Sequence, residues 1–304
     1  MQYLFGPVPS RRLGLSLGIS PVPRKTCNYS CIYCQLGRTY HLTNKREMFF
    51  PVSEIISELE ETLLSSPAFD VATIVGEGEP TLYLGLGALI QAVKARVNKP
   101  VAVITNGALV YEPQVRAELS KADIVLLSMD AYDQPSLQKI NRPHGKIKFC
   151  DVYEGLKIFS QQYQGQLWLE VMLMADNADG QALQKYAQML GELKYQRLYL
   201  NTPVRPPAEP DVRALDHEQM QRAVSILGGI SIYLLSSQGF HSEIADHYAA
   251  ILSIIKRHPM NQFEIESFLK NRGCEDIQKI MDRLKQDKAV SELEYMGYIT
   301  YRLK

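Results

Sequence analysis

The sequence lacks the features that would mark a membrane or secreted protein. It has no run of about 18 apolar residues, the length that a membrane-spanning helix requires. Its first residues, MQYLFGPVPSRRLGLSLGISP, lack the charged-then-apolar order of a signal peptide. Its cysteines number only five, an odd count, and three of them fall within eight residues. This spacing suits a metal site in a reducing compartment better than a disulfide framework, so we expect a cytoplasmic protein.

The chain has a net charge of zero, but its charged residues are unevenly distributed along the sequence. Residues 1–50 have a net charge of +6, residues 51–240 a net charge of −6, and residues 241–304 balance at ten of each sign. The basic first segment is either a solvated face or an anion-attracting mouth beside the cysteines, and the sequence leaves both readings open. With 304 residues, 46% of them hydrophobic, the chain can form one large α/β unit or two domains.

Strand-like and helix-like segments alternate along most of the chain. The predicted strands are 14–20, 71–76, 100–105, 123–129, 166–174 and 197–201, with a short one at 230–235. The predicted helices are 53–66, 84–97, 113–121, 151–163, 179–193 and about 216–227. Six strand-then-helix units predict a parallel sheet with right-handed crossovers and with its chemistry at the carboxyl ends of the strands.

The last 64 residues have a different pattern. Helical stretches at 243–257, 262–271 and 275–287 precede an alternating run at 289–304, with a turn near Met296–Gly297. Three helices followed by a hairpin are typical of a winged-helix-like α+β domain. We therefore predict two domains, residues 1–240 and residues 241–304.

The segment 26-TCNYSCIYCQLG-37 contains Cys27, Cys31 and Cys34 in a CxxxCxxC spacing. A zinc ribbon needs a fourth ligand, and Cys150 and Cys274 are isolated from any other Cys or His at zinc spacing. A [4Fe–4S] cube held by three thiolates leaves one iron open to a small molecule, which favours a cluster over zinc.

Small and polar residues follow three further predicted strands. These motifs are 76-GEGEP-80, 105-TNG-107 and 128-SMDA-131. Because the carboxyl ends of parallel strands share one rim, we expect these residues and the cysteines to form a single site.

Together these motifs resemble the radical S-adenosylmethionine superfamily over about residues 14–202. The resemblance implies a partial (β/α)6 barrel in which Cys27, Cys31 and Cys34 hold a [4Fe–4S] cluster. S-adenosylmethionine would occupy the fourth iron and be cleaved reductively to a 5′-deoxyadenosyl radical, which abstracts a substrate hydrogen atom. The resemblance also implies an external electron donor similar to flavodoxin or ferredoxin.

The resemblance assigns cofactor-binding roles to eight residues: Tyr33, Gly78, Glu79, Pro80, Asn106, Ser128, Asp130 and Glu170. Glu79 would accept a hydrogen bond from the methionine ammonium, since a carboxylate facing an ammonium makes a charge-assisted bond. Tyr33 would pack near adenine, and Ser128 and Asp130 would face the ribose. Glu77 departs from the family pattern, which often has glycine at that position. Glu170 should have a partner or face the barrel interior, because an unpaired buried carboxylate is costly.

Candidate residues on the substrate side are Arg11, Arg12, His144, Asn201 and Arg205. Arginines near a strand-end mouth bind phosphate or carboxylate, although surface ion pairing explains each of them equally well. His144 would transfer protons only if it faces the pocket. The sequence identifies neither a catalytic residue nor a substrate, and it assigns no role to Cys150 or Cys274.

Within the superfamily, GPVPSRRLG, the QLG after the last cysteine and NTPVRP most resemble a branch near the wyosine-type tRNA base synthases. The second cysteine set that those enzymes often carry has no equivalent here. The leading hypothesis is a radical enzyme with an unidentified substrate. An RNA-modifying enzyme whose C-terminal domain presents RNA is the alternative, although residues 241–304 lack a net basic charge. An iron–sulfur DNA-binding regulator is a third hypothesis, in which GEGEP would have no use.

Overall fold

A large, mostly parallel sheet forms the centre of the computed structural model, which describes residues 2–232, 240, 242, 244–295 and 297–304. The strands are β1 (Leu4–Ser10), β2 (Gly14–Ile19), β3 (Thr26–Cys27), β4 (His41–Leu42), β5 (Val71–Ile74), β6 (Val101–Thr105), β7 (Ile124–Ser128), β8 (Gln166–Met172), β9 (Arg197–Asn201), β10 (Ile230–Ser231), β11 (Met260–Asn261), β12 (Val290–Tyr295) and β13 (Tyr298–Leu303).

The α-helices connect these strands and build the C-terminal unit. They are α1 (Val52–Leu64), α2 (Leu86–Lys94), α3 (Pro113–Leu119), α4 (Gln134–Ile140), α5 (Phe149–Gln162), α6 (Gly180–Gly191), α7 (His217–Leu227), α8 (His247–Ile255), α9 (Gln262–Asn271) and α10 (Ile277–Gln286). No helix in the described part of the chain has the length and apolarity needed to cross a bilayer.

The large sheet has the order β1-β2-β5-β6-β7-β8-β9-β10. β1 pairs antiparallel with β2, and all the other neighbouring strands pair in parallel. The predicted α/β fold built from strand–helix units is therefore confirmed, although β1 and α4 were not predicted. Of the predicted strand 230–235, the first two residues form β10, and residues 233–235 lie outside the described part.

The two faces of the sheet have different environments, because side chains alternate along each strand. One face packs against the helices in the main hydrophobic core. The other carries a smaller apolar cluster that includes Trp168 and Tyr199. Two residues further along the same strands, at their carboxyl ends, this face becomes polar at Glu170 and Asn201. The inner face therefore has an apolar floor and a polar rim.

The C-terminal unit contains α8, α9, α10 and a three-stranded antiparallel sheet of order β11-β13-β12, around its own hydrophobic cluster. Its helices and hairpin occupy the predicted segments, although residue 243 of the predicted first helix is not described. At the predicted hairpin turn, Gly297 has a positive φ of 79°, and Met296 lies outside the described residues. The unit contacts the loops that follow β2 and β9. Arg24 donates to the Leu303 carbonyl at 2.9 Å, and the Tyr295 hydroxyl donates to the Pro203 carbonyl at 2.6 Å.

Candidate active site

The cysteine loop follows β2 at the carboxyl edge of the sheet. Cys27, Cys31 and Cys34 are half-buried free thiols. Amide nitrogens face two of the sulfurs: Asn106 Nδ2 lies 3.6 Å from Cys27 Sγ, and Asn141 Nδ2 lies 3.3 Å from Cys31 Sγ. Such donors stabilise negative charge on sulfur, and hydrogen bonds to thiolates help to set the potential of an iron–sulfur cluster. The donor set therefore fits a cluster held by three thiolates.

The other two cysteines have different surroundings. Cys150 is exposed in the first turn of α5, and Cys274 packs against the C-terminal hydrophobic cluster. Among the residues that the structure describes, no three His, Cys, Asp or Glu side chains converge as they would around a single metal ion. A cube does not require such convergence, because each thiolate binds a different iron.

The GEGEP loop after β5 lies in backbone contact with the cysteine loop. The Glu79 amide donates to the Thr26 carbonyl at 3.0 Å, and the Lys25 amide donates to the Glu77 carbonyl. A Cβ added at Gly78 would lie 1.8 Å from the Thr26 carbonyl oxygen. Only glycine therefore allows this approach.

The Glu79 carboxylate joins the GEGEP loop to the end of β6. Its Oε1 accepts from the Thr81 amide at 2.9 Å and from the hydroxyls of Thr81 and Thr105, both at 2.6 Å. Its Oε2 accepts from the Asn106 amide at 2.8 Å. Burial raises the pKa of Glu79, and these hydrogen bonds oppose the shift. Since a carboxylate has about four acceptor positions divided between its two oxygens, Oε2 retains one for a further donor.

Asp130 connects the cysteine loop to the ends of β7 and β8. Its carboxylate accepts from the Tyr33 hydroxyl, from Asn141 Nδ2 at 3.1 Å and from the Met172 amide at 3.0 Å. Burial raises the pKa of Asp130 to about 6. The nearby helix α4 is capped by Asp133, so Asp130 is not a helix cap.

The remaining predicted cofactor residues lie next to this network. Pro80 is buried at the start of a 3₁₀ turn, Pro80–Leu82. Ser128 neighbours Glu170 in the β7–β8 register. Glu170 forms an ion pair with Arg12 and accepts from Asn201 Nδ2 at 3.4 Å, which gives it the partner that its burial requires. The predicted cofactor set thus occupies one rim.

A cavity of about 240 Å³ lies beside this rim, on the inner face of the sheet. Four of the predicted substrate-side residues line it: Arg11, Arg12, Asn201 and Arg205. His144 does not, because it belongs to a surface groove that also contains Cys150. None of the eight predicted cofactor residues lines the cavity, so the two predicted sets occupy adjacent regions.

Sequence reasoning did not find the cavity's contribution from the C-terminal unit. Arg257 and His258 line it, and Arg257 Nε lies 3.3 Å from Glu77 Oε2. The only signal in the sequence is the basic run 256-KRH-258 between an apolar helix and Pro259. Asn141, which reaches both Cys31 and Asp130, was not among the predicted cofactor-binding residues.

Comparison with known proteins agrees with this geometry. The profile of the Radical SAM superfamily matches residues 22–182. UPF0026 protein MJ1312 of Methanocaldococcus jannaschii is 33% identical over 99% of this chain and 96% of its own length. A UPF0026 protein of Helicobacter pylori is 32% identical over 96% of each chain.

Among solved structures, a radical SAM methyltransferase from Sphaerobacter thermophilus is similar in fold, with a TM-score of 0.55 and 14% sequence identity. The match covers 71% of this chain and 65% of the methyltransferase chain. The profile match and the full-length relatives establish that this chain belongs to the Radical SAM superfamily, whose enzymes use a [4Fe–4S] cluster and S-adenosylmethionine.

Proposed function

We propose that Cys27, Cys31 and Cys34 hold the cluster and that the enzyme abstracts a hydrogen atom from a substrate bound on the inner face of the sheet. Bound S-adenosylmethionine supplies a 5′-deoxyadenosyl radical when the cluster is reduced. The observation that carries this proposal is the packing of Gly78 on Thr26, because it places the Glu79 carboxylate beside the cysteine loop.

The chain's own residues have separable roles in this proposal. Glu79 offers Oε2 to the methionine ammonium while its other contacts fix its orientation. The Tyr33 hydroxyl donates to Asp130, and this fixed orientation supports a role for its ring in packing against adenine. Ser128 and Asp130 face the ribose, and Asn106, Pro80 and Glu170 complete the rim. An electron donor similar to flavodoxin or ferredoxin supplies the reductant.

Anaerobic reconstitution with iron and sulfide tests this proposal. We expect about four irons per chain and, with reductant and S-adenosylmethionine, release of 5′-deoxyadenosine. Cys27→Ala should abolish both signals. Cys150→Ala is the matched control and should retain both, because this thiol is exposed on α5. A wild-type protein that holds the cluster but releases no deoxyadenosine would contradict the proposal.

We also propose that residues 1–240 form a partial (β/α)6 barrel and that residues 241–304 form a winged-helix-like domain. The order α8-β11-α9-α10-β12-β13 supports the second assignment, because its sheet places β13 between β11 and β12. The separate hydrophobic cluster of this unit supports the boundary. The free state of all five cysteines supports a reducing location such as the cytoplasm.

A second candidate function is RNA modification, as in the wyosine-type branch. The observation that favours it is α10, where Lys279, Arg283 and Lys285 outnumber one acid, Asp282. Salt-sensitive retention of tRNA, lost in a Lys279→Gln, Lys285→Gln double variant, would support this function. An absence of retention at low salt would contradict it.

A further inference from the structure

The cavity of about 240 Å³ is bounded by both parts of the chain. Gln35 and Leu36, just after Cys34, form one wall, and Gly76 of the GEGEP loop contributes to another. Arg257 and His258 of the C-terminal unit line it as well. Its volume is slightly below the ~300–1,000 Å³ typical of sites for drug-sized ligands. Its size therefore suits a small molecule.

Positive charge dominates the lining of this cavity. Its arginines are Arg11, Arg12, Arg205 and Arg257. Three of them have a carboxylate partner: Arg12 pairs with Glu170, Arg205 with Glu264 and Arg257 with Glu77. Arg11 has neither an ion-pair nor a hydrogen-bond partner within the described residues. Within the described part of the chain, one guanidinium of this cavity is thus left without a directly paired carboxylate.

The neighbours of Arg11 increase this excess of positive charge. Burial, followed by the charge of Arg205, lowers the pKa of Arg11, and the Glu264 carboxylate opposes part of this shift. Arg205 Nη2 lies 3.1 Å from His258 Nε2. Because a guanidinium can only donate, Nε2 must accept, which requires a neutral imidazole. Burial and the same arginine lower the pKa of His258, in agreement with this assignment. A half-buried, unpaired charge is unfavourable, and a bound anion would offset it.

Apolar side chains line much of the remaining cavity. They include Phe5, Val8, Leu13, Ile104 and Ile232. A ligand that contacts both the arginines and the apolar walls carries a negatively charged group and an apolar part. An inorganic ion alone would leave the apolar walls without contacts.

We propose that this cavity binds a small organic anion, with its carboxylate or phosphate on Arg11 and its apolar part against Phe5 and Ile232. The assignment of this anion as the substrate rests on the proposed radical function. The cavity's position next to Gln35 and Gly76 places the ligand beside the cysteine and GEGEP loops.

Isothermal titration of the reconstituted protein with phenyl phosphate and with benzoate tests the proposal. We expect at least one of them to bind the wild type, and the tighter probe identifies the charged group. Arg11→Gln should weaken that binding about tenfold or more, because it removes a charge-assisted contact. Arg11→Lys should recover part of the affinity. Arg96→Gln is the matched control, since Arg96 pairs with Glu60 on the outside of the protein.

Three results would overturn the assignment. They are the absence of binding of either probe to the wild type, equal binding by Arg11→Gln, and Arg11-dependent retention of tRNA without binding of the small anions. Release of 5′-deoxyadenosine by the same wild-type sample is measured separately. Arg11-dependent binding without that release would refute the radical function while leaving the anion site in place.

Discussion

Replacing Gly78 with alanine tests whether the GEGEP loop must touch the cysteine loop. The new Cβ would lie 1.8 Å from the Thr26 carbonyl oxygen, and Cβ contacts below 3.0 Å essentially never occur. The two backbones must therefore separate by at least about 1.2 Å. That movement would break the 3.0 Å hydrogen bond from the Glu79 amide to Thr26 and strain the neighbouring bond between Lys25 and Glu77.

The expected cost combines two contributions. Losing one backbone hydrogen bond and weakening a second costs about 1–3 kcal/mol, and overpacking adds about 1–3 kcal/mol. We expect the melting temperature of Gly78→Ala to fall by at least about 4 °C, with a parallel loss of bound iron after reconstitution. Gly145→Ala is the matched control, because nothing lies within 4 Å of its added Cβ. If Gly78→Ala matched this control in both measurements, the proposed contact between the loops would be refuted.

Three further substitutions test individual carboxylates. Glu79→Gln should weaken S-adenosylmethionine binding about tenfold or more in equilibrium dialysis, because the amide lacks the charge that pairs with an ammonium; an unchanged affinity would exclude Glu79 from that role. Asp130 has a pKa of about 6 in the folded state against 3.8 for the free side chain, so it stays protonated to a higher pH in the folded state than in the unfolded state. As the pH rises from 4 to 7, the free energy of unfolding of the wild type should therefore fall by about 2 kcal/mol relative to that of Asp130→Asn. If chemical denaturation gave parallel pH profiles for the two proteins, this prediction would be wrong. Glu77→Gln removes the carboxylate that faces Arg257 and should speed amide hydrogen exchange in residues 247–304. Glu60→Gln, which removes an exposed ion pair, is the control and should leave that exchange unchanged.

The sequence predicts the parallel part of the sheet because its strands are short, mostly apolar runs that alternate with helical stretches. β1 was missed for an equally physical reason. Its sequence, LFGPVPS, contains two prolines and a glycine, which disfavour a strand except at the edge of a sheet, and an edge is where β1 lies. α4 was missed because its sequence, QPSLQKI, has only Leu137 and Ile140 to mark a buried apolar face, too few to show a helical period, although Asp133 and Ser136 form a capping box at its start.

The rim could be predicted because the carboxyl ends of neighbouring parallel strands lie together whatever the details of packing. Pairings between distant residues could not be predicted in this way. Glu77 and Arg257 are 180 positions apart, and no local pattern selects Arg257 over the other arginines. Similarly, only the three-dimensional structure shows that, among the described residues, Arg11 is the one cavity arginine without a directly paired carboxylate.

The position of Glu77 has a thermodynamic consequence. This residue lies in the same five-residue loop as Gly78 and Glu79, while its carboxylate faces Lys256 and Arg257 of the C-terminal unit at 3.8 and 3.3 Å. Coupling between two binding equilibria is reciprocal. Where a ligand changes the position of Glu77, binding of that ligand and docking of the C-terminal unit are therefore linked equilibria. A ligand that orders the loop tightens the docking, and loosening the docking lowers the affinity for that ligand by the same factor.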